Sequence, residues 1–310
     1  MAQPLLTLGT RGSPLALAQA RLVADALAGA HPHLATPGAI KIEPIRTTGD
    51  KVQDRPLAEI GGKGLFTEEI EKALLAGAID IAVHSLKDMP TVLPQGLGIG
   101  AVLEREDPRD VLFSRSGGGI AALPRGARVG SASLRRQALL LNKRPDLKLG
   151  PLRGNVETRL RKLKEGQIDA TVLALAGLKR LGIDIAAAGG AVLPVEEMLP
   201  APAQGAICVE SRLGDARVAQ LLAAIGHKPS AIAVAAERDL LNALDGSCRT
   251  PIAGLAVLEA AGNLHLRALV ALPDGSKLWR AERRGPAADA AALGADAGAA
   301  LRREAKGLFA

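Results

Sequence analysis

Aromatic residues and cysteine are scarce in this sequence, and long apolar runs are missing. Its 310 residues include no Tyr, one Trp, three Phe and two Cys. Two cysteines in a chain of this length do not form a disulfide framework. No apolar run reaches the ~18 residues of a membrane span, and the N-terminal segment lacks the basic and apolar regions of a secretory signal. We therefore expect a cytoplasmic protein that does not bind a membrane.

Positive charge is concentrated in one segment that has no aromatic residue. Between Arg125 and Arg180 there are fourteen Lys and Arg against four Asp and Glu, whereas the whole chain carries a net charge of +7. Proteins that bind single strands or RNA interleave basic side chains with stacking aromatics. No helix-turn-helix or zinc pattern for duplex binding is present either. We therefore expect an acidic small molecule, and no nucleic acid, as the partner.

Two adjacent arginines, Arg135 and Arg136, open a predicted helix in "VGSASLRRQALL" (129–140), with Ser131 or Ser133 as its N-cap. A helix N-terminus attracts anions, so basic side chains there add to a site for negative charge. The alternative, a solvated basic face, suits Arg161 but not arginines that follow Gly and Ser at a strand–helix junction. Several guanidinium groups converging on a cleft suit a ligand with many carboxylates.

Strands and helices alternate along the first two thirds of the chain, which predicts α/β domains with largely parallel sheets. The stretches "GAIDIAVHSL" (77–86) and "GQIDATVLAL" (166–175) share the pattern G-x-I-D-x-x-V-x-x-L. This repeat predicts two similar domains, with a cleft between them and ligand at the carboxyl ends of the strands. After residue 210, helices followed by alternating strands and turns predict a separate α+β domain of about 85 residues.

The stretch "HSLKDMP" (84–90) contains His, Ser and Asp, but we do not interpret it as a hydrolase triad. His84 and Ser85 are neighbours on a strand, so their side chains point to opposite faces. Asp88 is a candidate acid–base or electrostatic carboxylate, and an ordinary loop pair between Lys87 and Asp88 is the open alternative. "GGKGLF" (61–66) lacks P-loop spacing. The histidines have no metal-ligand spacing, so we expect no metal.

The two cysteines have different surroundings. Cys208, in "AICVE", is predicted to be a small buried hydrophobe. Cys248 lies in "DGSCRTP" (245–251) beside Arg249, and a neighbouring cation lowers the pKa of a thiol and favours the thiolate. The sequence therefore predicts that Cys248 is the reactive cysteine.

Motifs spread over nearly the whole chain resemble the porphobilinogen deaminase, or hydroxymethylbilane synthase, family. They are "TRGSPLALAQA", "GGKGLF", "DIAVHSLKDMP", "EREDPRD", "GSASLRRQ", "LRGNVETRL", "LAGLKRLG", "QGAICVE" and "LDGSCRTPI". The resemblance implies two periplasmic-binding-protein-like α/β domains that flank a cleft, plus a small C-terminal α+β domain. The implied boundaries are 1–103 with 204–222 for domain 1, 104–203 for domain 2 and 223–310 for domain 3.

The family joins four porphobilinogen molecules head to tail and releases ammonia at each step, giving the linear tetrapyrrole 1-hydroxymethylbilane for haem or chlorophyll-type biosynthesis. By resemblance, Cys248 holds a dipyrromethane cofactor through a thioether, and the product chain grows on that cofactor. Asp88 matches the catalytic aspartate, which contacts pyrrole N–H groups and stabilises the cationic azafulvene left by deamination. The family's further contacts to the cofactor correspond to Lys87, Ser131, Ser133, Arg135 and Arg136. Its contacts to the substrate correspond to Arg11, Ser13, Arg153, Arg159 and Arg180.

Four positions depart from the commonest family pattern. Ala132 stands where a serine is usual, Ala203 and Ser247 where glycines are common, and Glu59 where a lysine is frequent. These replacements leave Asp88 and Cys248 untouched. The alternative function is a non-catalytic, periplasmic-binding-type module for a polycarboxylate. The predicted reactive cysteine and the lack of a secretory signal in the N-terminal segment argue against it. We expect a monomeric enzyme whose partners are porphobilinogen and the growing polypyrrole.

Overall fold

The computed structural model describes residues 4–51, 64–244 and 250–309. In these ranges the chain forms two compact units, one of residues 4–51, 64–106 and 206–231, the other of residues 107–205, 232–244 and 250–309. Among the described residues, the chain passes between the units after Glu106, Gly205 and Ala231. The predicted three-domain boundaries remain a prediction.

The first unit contains a five-stranded sheet covered by helices. Its strands are β1 Leu6–Arg11, β2 Ile40–Ile45, β3 Ile81–Ser85, β4 Leu97–Val102 and β10 Ile207–Arg212, in the order β2-β1-β3-β10-β4. Its helices are α1 Pro14–Ala30, α2 Thr48–Lys51, α3 Glu68–Leu75 and α7 Ala216–Ala223. Leu8, Val23, Ile81, Val209 and Leu222 are fully buried members of one core cluster. Ser13 caps α1, because its hydroxyl accepts the Ala16 N–H at 3.2 Å.

The second unit begins with a sheet of the same size. Its strands are β5 Asp110–Ser114, β6 Arg128–Gly130, β7 Lys148–Gly150, β8 Ala170–Ala174 and β9 Gly190–Val192, in the order β7-β6-β8-β5-β9. Its helices are α4 Leu134–Lys143, α5 Val156–Lys164 and α6 Leu175–Arg180. Successive residues of one strand, such as Leu112 and Phe113, belong to different core clusters. The sheet is therefore buried on both faces, which explains its short, largely apolar central strands.

The C-terminal part of the second unit is a three-stranded antiparallel sheet with two helices. The strands are β11 Ile252–Leu258, β12 Asn263–Ala271 and β13 Leu278–Pro286, and the helices are α8 Lys228–Ala243, whose first four residues belong to the first unit, and α9 Ala290–Glu304. Helix α9 packs closely on α8, since a Cβ on Gly294 would lie 2.1 Å from the Ala236 carbonyl oxygen. No single helix in the described ranges is long and apolar enough to cross a membrane, although α7 and α8 pass that test as a pair.

The α/β class is confirmed, but the expectation of largely parallel sheets is wrong. In each five-stranded sheet two of the four strand pairings are antiparallel. The strand responsible is β10 in the first sheet and β5 in the second, and each follows directly after the chain has crossed from the other unit. Apolar periodicity reports burial and not strand direction, so the sequence pattern could not reveal this reversal.

The internal repeat is structural. Asp80 and the β1 residue Thr7 bond reciprocally, with Asp80 N donating to Thr7 O at 2.8 Å and Thr7 N donating to Asp80 Oδ2 at 2.7 Å. Asp169 and the β6 residue Arg128 repeat this pattern, both bonds being 2.8 Å long. The shared aspartate therefore fixes the start of the central strand against its parallel neighbour in both sheets, as expected for two similar α/β folds.

Ala203 is the one non-glycine residue with a left-handed backbone among the described residues, at φ = 60°. That conformation costs an L-residue about 1–2 kcal/mol. We expect Ala203→Gly to retain about 1–2 kcal/mol more unfolding free energy than Ala206→Gly, which loses an equally buried methyl group but relieves no strain. Urea unfolding of the two variants measures the difference, and equal losses would contradict it.

Candidate active site

The junction between β6 and α4 carries the predicted serines and paired arginines. Ser133 is the N-cap of α4, and its hydroxyl accepts the Arg136 N–H at 3.4 Å. The Ser131 hydroxyl accepts the Ser133 N–H at 3.1 Å. Both hydroxyls thus shape the tight turn that brings Arg135 and Arg136 into the first turn of the helix.

Arg135 and Arg136 are buried around one aspartate. They are 5% and 7% exposed, and Asp110 is fully buried. Arg135 Nη2 donates to Asp110 Oδ2 and Arg136 Nη2 to Asp110 Oδ1, both at 2.7 Å. Their Nη1 atoms donate to the Leu199 and Val172 carbonyl oxygens at 2.7 and 2.9 Å. Although burial acts in the opposite direction, the two guanidinium groups hold the pKa of Asp110 far below its usual range.

This geometry rules out a solvated face for the pair, and it includes a partner that sequence reasoning missed. The missed partner is Asp110, which ends the motif "EREDPRD" and begins an apolar strand. An acidic residue at the start of a buried strand was the sequence signal that could have indicated a buried ion pair. Gln204 also donates to Asp110, from Nε2 to Oδ1 at 2.8 Å. The Nε atoms of Arg135 and Arg136 are buried and have no hydrogen-bond partner among the described residues. Asp110 therefore accepts hydrogen bonds from only some of the N–H groups of Arg135 and Arg136.

A second pair of predicted arginines, Arg153 and Arg159, lies near Arg136. Arg159, on α5, donates from Nε to the Gly154 carbonyl oxygen at 2.8 Å and has no ion-pair partner in the described part of the chain. Burial lowers the pKa of Arg159 to about 10, and the nearby charges of Arg136 and Arg153 add to this effect. The like charges of Arg136 and Arg153 thus disfavour the charged form of Arg159, and an anionic ligand beside Arg159 would relieve this effect.

Arg180 is the last residue of α6, and it donates from Nη2 to the Gly205 carbonyl oxygen at 2.6 Å. This bond ties the end of the helix to the segment through which the chain leaves the second unit. All five predicted arginines of the basic segment lie in this unit. Four of them lie on helices α4 to α6, namely Arg135, Arg136, Arg159 and Arg180, and Arg153 lies just before α5.

Lys87 and Asp88 belong to the first unit. They lie on a short 3-10 turn, Leu86–Asp88, that directly follows β3, and both are exposed whereas Leu86 is buried. No ion pair of the Asp88 carboxylate is seen among the described residues, and the Lys87–Asp88 loop pair stays an untested alternative. An exposed, fixed carboxylate at a strand end is well placed to act on a ligand.

His84 and Ser85 point to opposite faces of the sheet, as predicted. The Ser85 hydroxyl accepts the Gln19 side-chain N–H at 2.8 Å, whereas His84 Nε2 lies 3.2 Å from Glu210 Oε2. No Ser-His pair forms between these two residues.

Arg11 lies at the end of β1, next to Ser13. Its guanidinium group forms an ion pair with Asp50 and lies 4.2 Å from the centre of the Phe66 ring. Burial opposes the effect, but the hydrogen bonds from Arg11 and Thr47 lower the pKa of Asp50. Asp50 and Phe66 hold Arg11 in place, and sequence reasoning had assigned a role to neither.

Several predicted features lie outside the described residues, namely Cys248 with Ser247 and Arg249, and Glu59. Cys208 is described and is fully buried in β10, which confirms its assignment as a hydrophobe. Within the described ranges, no group of three or more His, Cys, Asp or Glu is arranged to hold a metal ion.

Comparison with known proteins gives a consistent result. Residues 6–220 match the family described as "Porphobilinogen deaminase, dipyromethane cofactor binding domain", and residues 231–303 match "Porphobilinogen deaminase, C-terminal domain". The chain is 58% identical to the porphobilinogen deaminase of Paracoccus denitrificans over 98% of this chain and 96% of that protein. It is 54% identical to the chloroplastic porphobilinogen deaminase of Oryza sativa over 91% of this chain and 78% of that protein.

Among solved structures, the chain is similar to a putative methionine-binding lipoprotein from Bacillus subtilis, with a TM-score of 0.43 and 14% identity over 73% of this chain and 91% of that one. An ancestral arginine-binding protein matches with a TM-score of 0.37 and 17% identity over 71% and 90%. The sequence matches, which span almost the entire length, decide the assignment. This chain belongs to the porphobilinogen deaminase family, whose larger domain binds a dipyrromethane cofactor.

Proposed function

We propose that this enzyme condenses four porphobilinogen molecules head to tail into 1-hydroxymethylbilane, releasing one ammonia at each condensation. The observation that carries the proposal is the arginine group of the second unit, in which buried Arg136 and half-buried Arg153 are close enough for their charges to act on half-buried Arg159, which has no described ion-pair partner. Each porphobilinogen brings an acetate and a propionate. A product that gains two carboxylates per step requires a site with surplus guanidinium groups.

The residues present fit a polyanionic cofactor. Arg135 and Arg136 each keep a buried Nε–H without a described partner, although their Nη atoms are bonded within the protein. We assign the dipyrromethane to Cys248 by a thioether, with contacts from Lys87, Asp88, Ser131, Ser133, Arg135 and Arg136. When bound, it supplies the pyrrole carbon to which the first porphobilinogen is joined.

Asp88 is the proposed catalytic residue. When ammonia leaves the substrate, the C–N bond breaks and positive charge develops on the pyrrole. A carboxylate that is already fixed at the strand end stabilises this charge more in the transition state than in the ground state. Arg11, Ser13, Arg153, Arg159 and Arg180 are the proposed contacts to the substrate's carboxylates, and the arginines neutralise negative charge that accumulates as the chain grows.

We further propose a cytoplasmic monomer of three domains that binds neither nucleic acid nor membrane. The lack of aromatic residues in the basic segment supports a small-molecule ligand over RNA. Membership of an enzyme family sets aside the non-catalytic binding module.

The test of the proposed reaction is to incubate the purified protein with porphobilinogen and to quantify ammonia and the linear tetrapyrrole. We expect four ammonia molecules for each tetrapyrrole. A folded protein that contains its cofactor but releases no ammonia would contradict the proposal.

Arg159→Gln separates stability from binding. Removing a half-buried charge without a described ion-pair partner should raise the unfolding free energy of the cofactor-free protein by about 1 kcal/mol. Losing a charge-assisted contact should raise KM for porphobilinogen about tenfold or more. Arg161→Gln is the control, because Arg161 lies on the same helix but is exposed and pairs with Glu165 at 3.2 Å. If both variants have the parent's KM and stability, Arg159 is not a carboxylate ligand.

A further inference from the structure

Three ionisable side chains are buried together in the first unit, and the proposed reaction uses none of them. Glu210 on β10 is fully buried, and His84 on β3 and Glu71 on α3 are 5% and 6% exposed. His84 Nε2 lies 3.2 Å from Glu210 Oε2, within hydrogen-bond distance. Glu71 is close enough to both for their charges to act on it. Two carboxyl groups therefore share one buried site with a single imidazole.

The cluster has more acceptors than donors. Glu71 Oε1 and Glu210 Oε1 are buried, and each lacks a hydrogen-bond partner among the described residues. Ionised carboxylates can only accept hydrogen bonds, whereas a protonated carboxyl gains one O–H donor. Two negative charges in one dry site are also costly. One proton on Glu71 would remove a negative charge and supply the missing donor.

We propose that Glu71 is protonated at neutral pH and that it acts, with Glu210 and His84, as a positioning group for the turn that carries Lys87 and Asp88. Burial raises the pKa of Glu71, with Glu210 and Glu68 adding to the rise and Thr67 and His84 opposing it. These groups come from α3 and its N-cap, β3 and β10, the elements that surround the Glu71 carboxyl.

The cluster lies immediately before the turn. His84 is the penultimate residue of β3, and the 3-10 turn Leu86–Asp88 begins two residues later. On the other face of the sheet Gln19 bonds Ser85 at 2.8 Å, and Leu86 N donates to Ala206 O at 3.0 Å. The strand end is thus held on both faces just before Asp88. The effect on catalysis rests on the role proposed for Asp88, but the protonation of Glu71 does not.

Glu71→Gln tests the protonation, because glutamine is a neutral isostere of the protonated side chain. A carboxyl whose pKa is higher in the folded than in the unfolded state makes the protein less stable as pH rises from the unfolded toward the folded pKa. The glutamine variant has no such loss. We expect the folding equilibrium constant of the variant to match the parent's closely at pH 4 and to exceed it by more than about a hundredfold at pH 8, because a carboxyl that stays protonated at neutral pH has a folded pKa far above that of the unfolded chain.

The matched control is Glu68→Gln on the same helix, where Glu68 is exposed and pairs with Lys72 at 2.7 Å. This variant should show at most a small part of that pH-dependent advantage, because Glu68 makes the smallest contribution to the raised pKa of Glu71. If Glu71→Gln behaves like Glu68→Gln in urea unfolding from pH 4 to pH 8, the proposed protonation is wrong.

Glu210→Gln tests positioning. We expect kcat per folded molecule to fall about fivefold or more with KM for porphobilinogen unchanged, since a shifted Asp88 affects the transition state and not substrate capture. Leu222→Ala, a core change in the same unit, lowers stability without touching the cluster and should keep kcat per folded molecule. Equal kcat values in the two variants would overturn the positioning role. If the parent itself releases no ammonia, the proposed function fails, while the unfolding comparison still decides the state of Glu71.

Discussion

Asp88→Asn lowers kcat by about 10²–10³-fold or more while the protein stays folded and still binds porphobilinogen. The amide keeps the size and polarity of the side chain but not its charge, so it cannot stabilise the cation that develops as ammonia leaves. Because Asp88 is exposed and has no described ion-pair partner, the substitution should change the unfolding free energy by less than about 0.5 kcal/mol.

Steady-state ammonia release and urea unfolding of the same preparation check this result. Asp25→Asn is the control, since Asp25 is an exposed residue of α1 in the same unit. Its kcat should equal the parent's. Asp88→Asn activity within a few-fold of the parent would remove Asp88 from the mechanism.

We expect Cys248→Ser to abolish turnover and to remove the covalent adduct that we propose the parent carries when it is purified from cells that make porphobilinogen. The thiolate forms a C–S bond to the electrophilic carbon left by deamination, whereas a serine hydroxyl is protonated at neutral pH and far less nucleophilic. Intact-protein mass spectrometry should show an added dipyrromethane in the parent, and peptide mapping should place it on Cys248.

Cys208→Ser is the matched control for the adduct. Cys208 is fully buried in β10, so the change should lower stability but leave both the adduct and the activity. An active parent with an unmodified Cys248, or an adduct on Cys208, would contradict the assignment of the cofactor.

Local patterns were sufficient for the elements whose limits depend on neighbouring residues. Helix α4 begins at Leu134, within the stretch for which the sequence predicts a helix, and Ser133 is the one of the two candidate serines that caps it. Such a cap can be recognised from the sequence because it depends on residues three positions away. The antiparallel direction of β5 and β10 relative to their neighbouring strands was not predictable, because it depends on where the chain crosses between the units.

The candidate site divides in the same way. The sequence by itself determined the family, the candidate reactive cysteine and the list of arginines, because motif residues are read directly along the chain. Only the tertiary structure decided which carboxylates those arginines contact. Asp110 reaches Arg135 and Arg136 across 25 and 26 residues, and Glu210 reaches His84 across 126. Strand order and burial decide which residues become such partners, and no local sequence pattern encodes either of them. Burial matters because a charged side chain that is removed from water must be paired with an opposite charge or with hydrogen-bond partners.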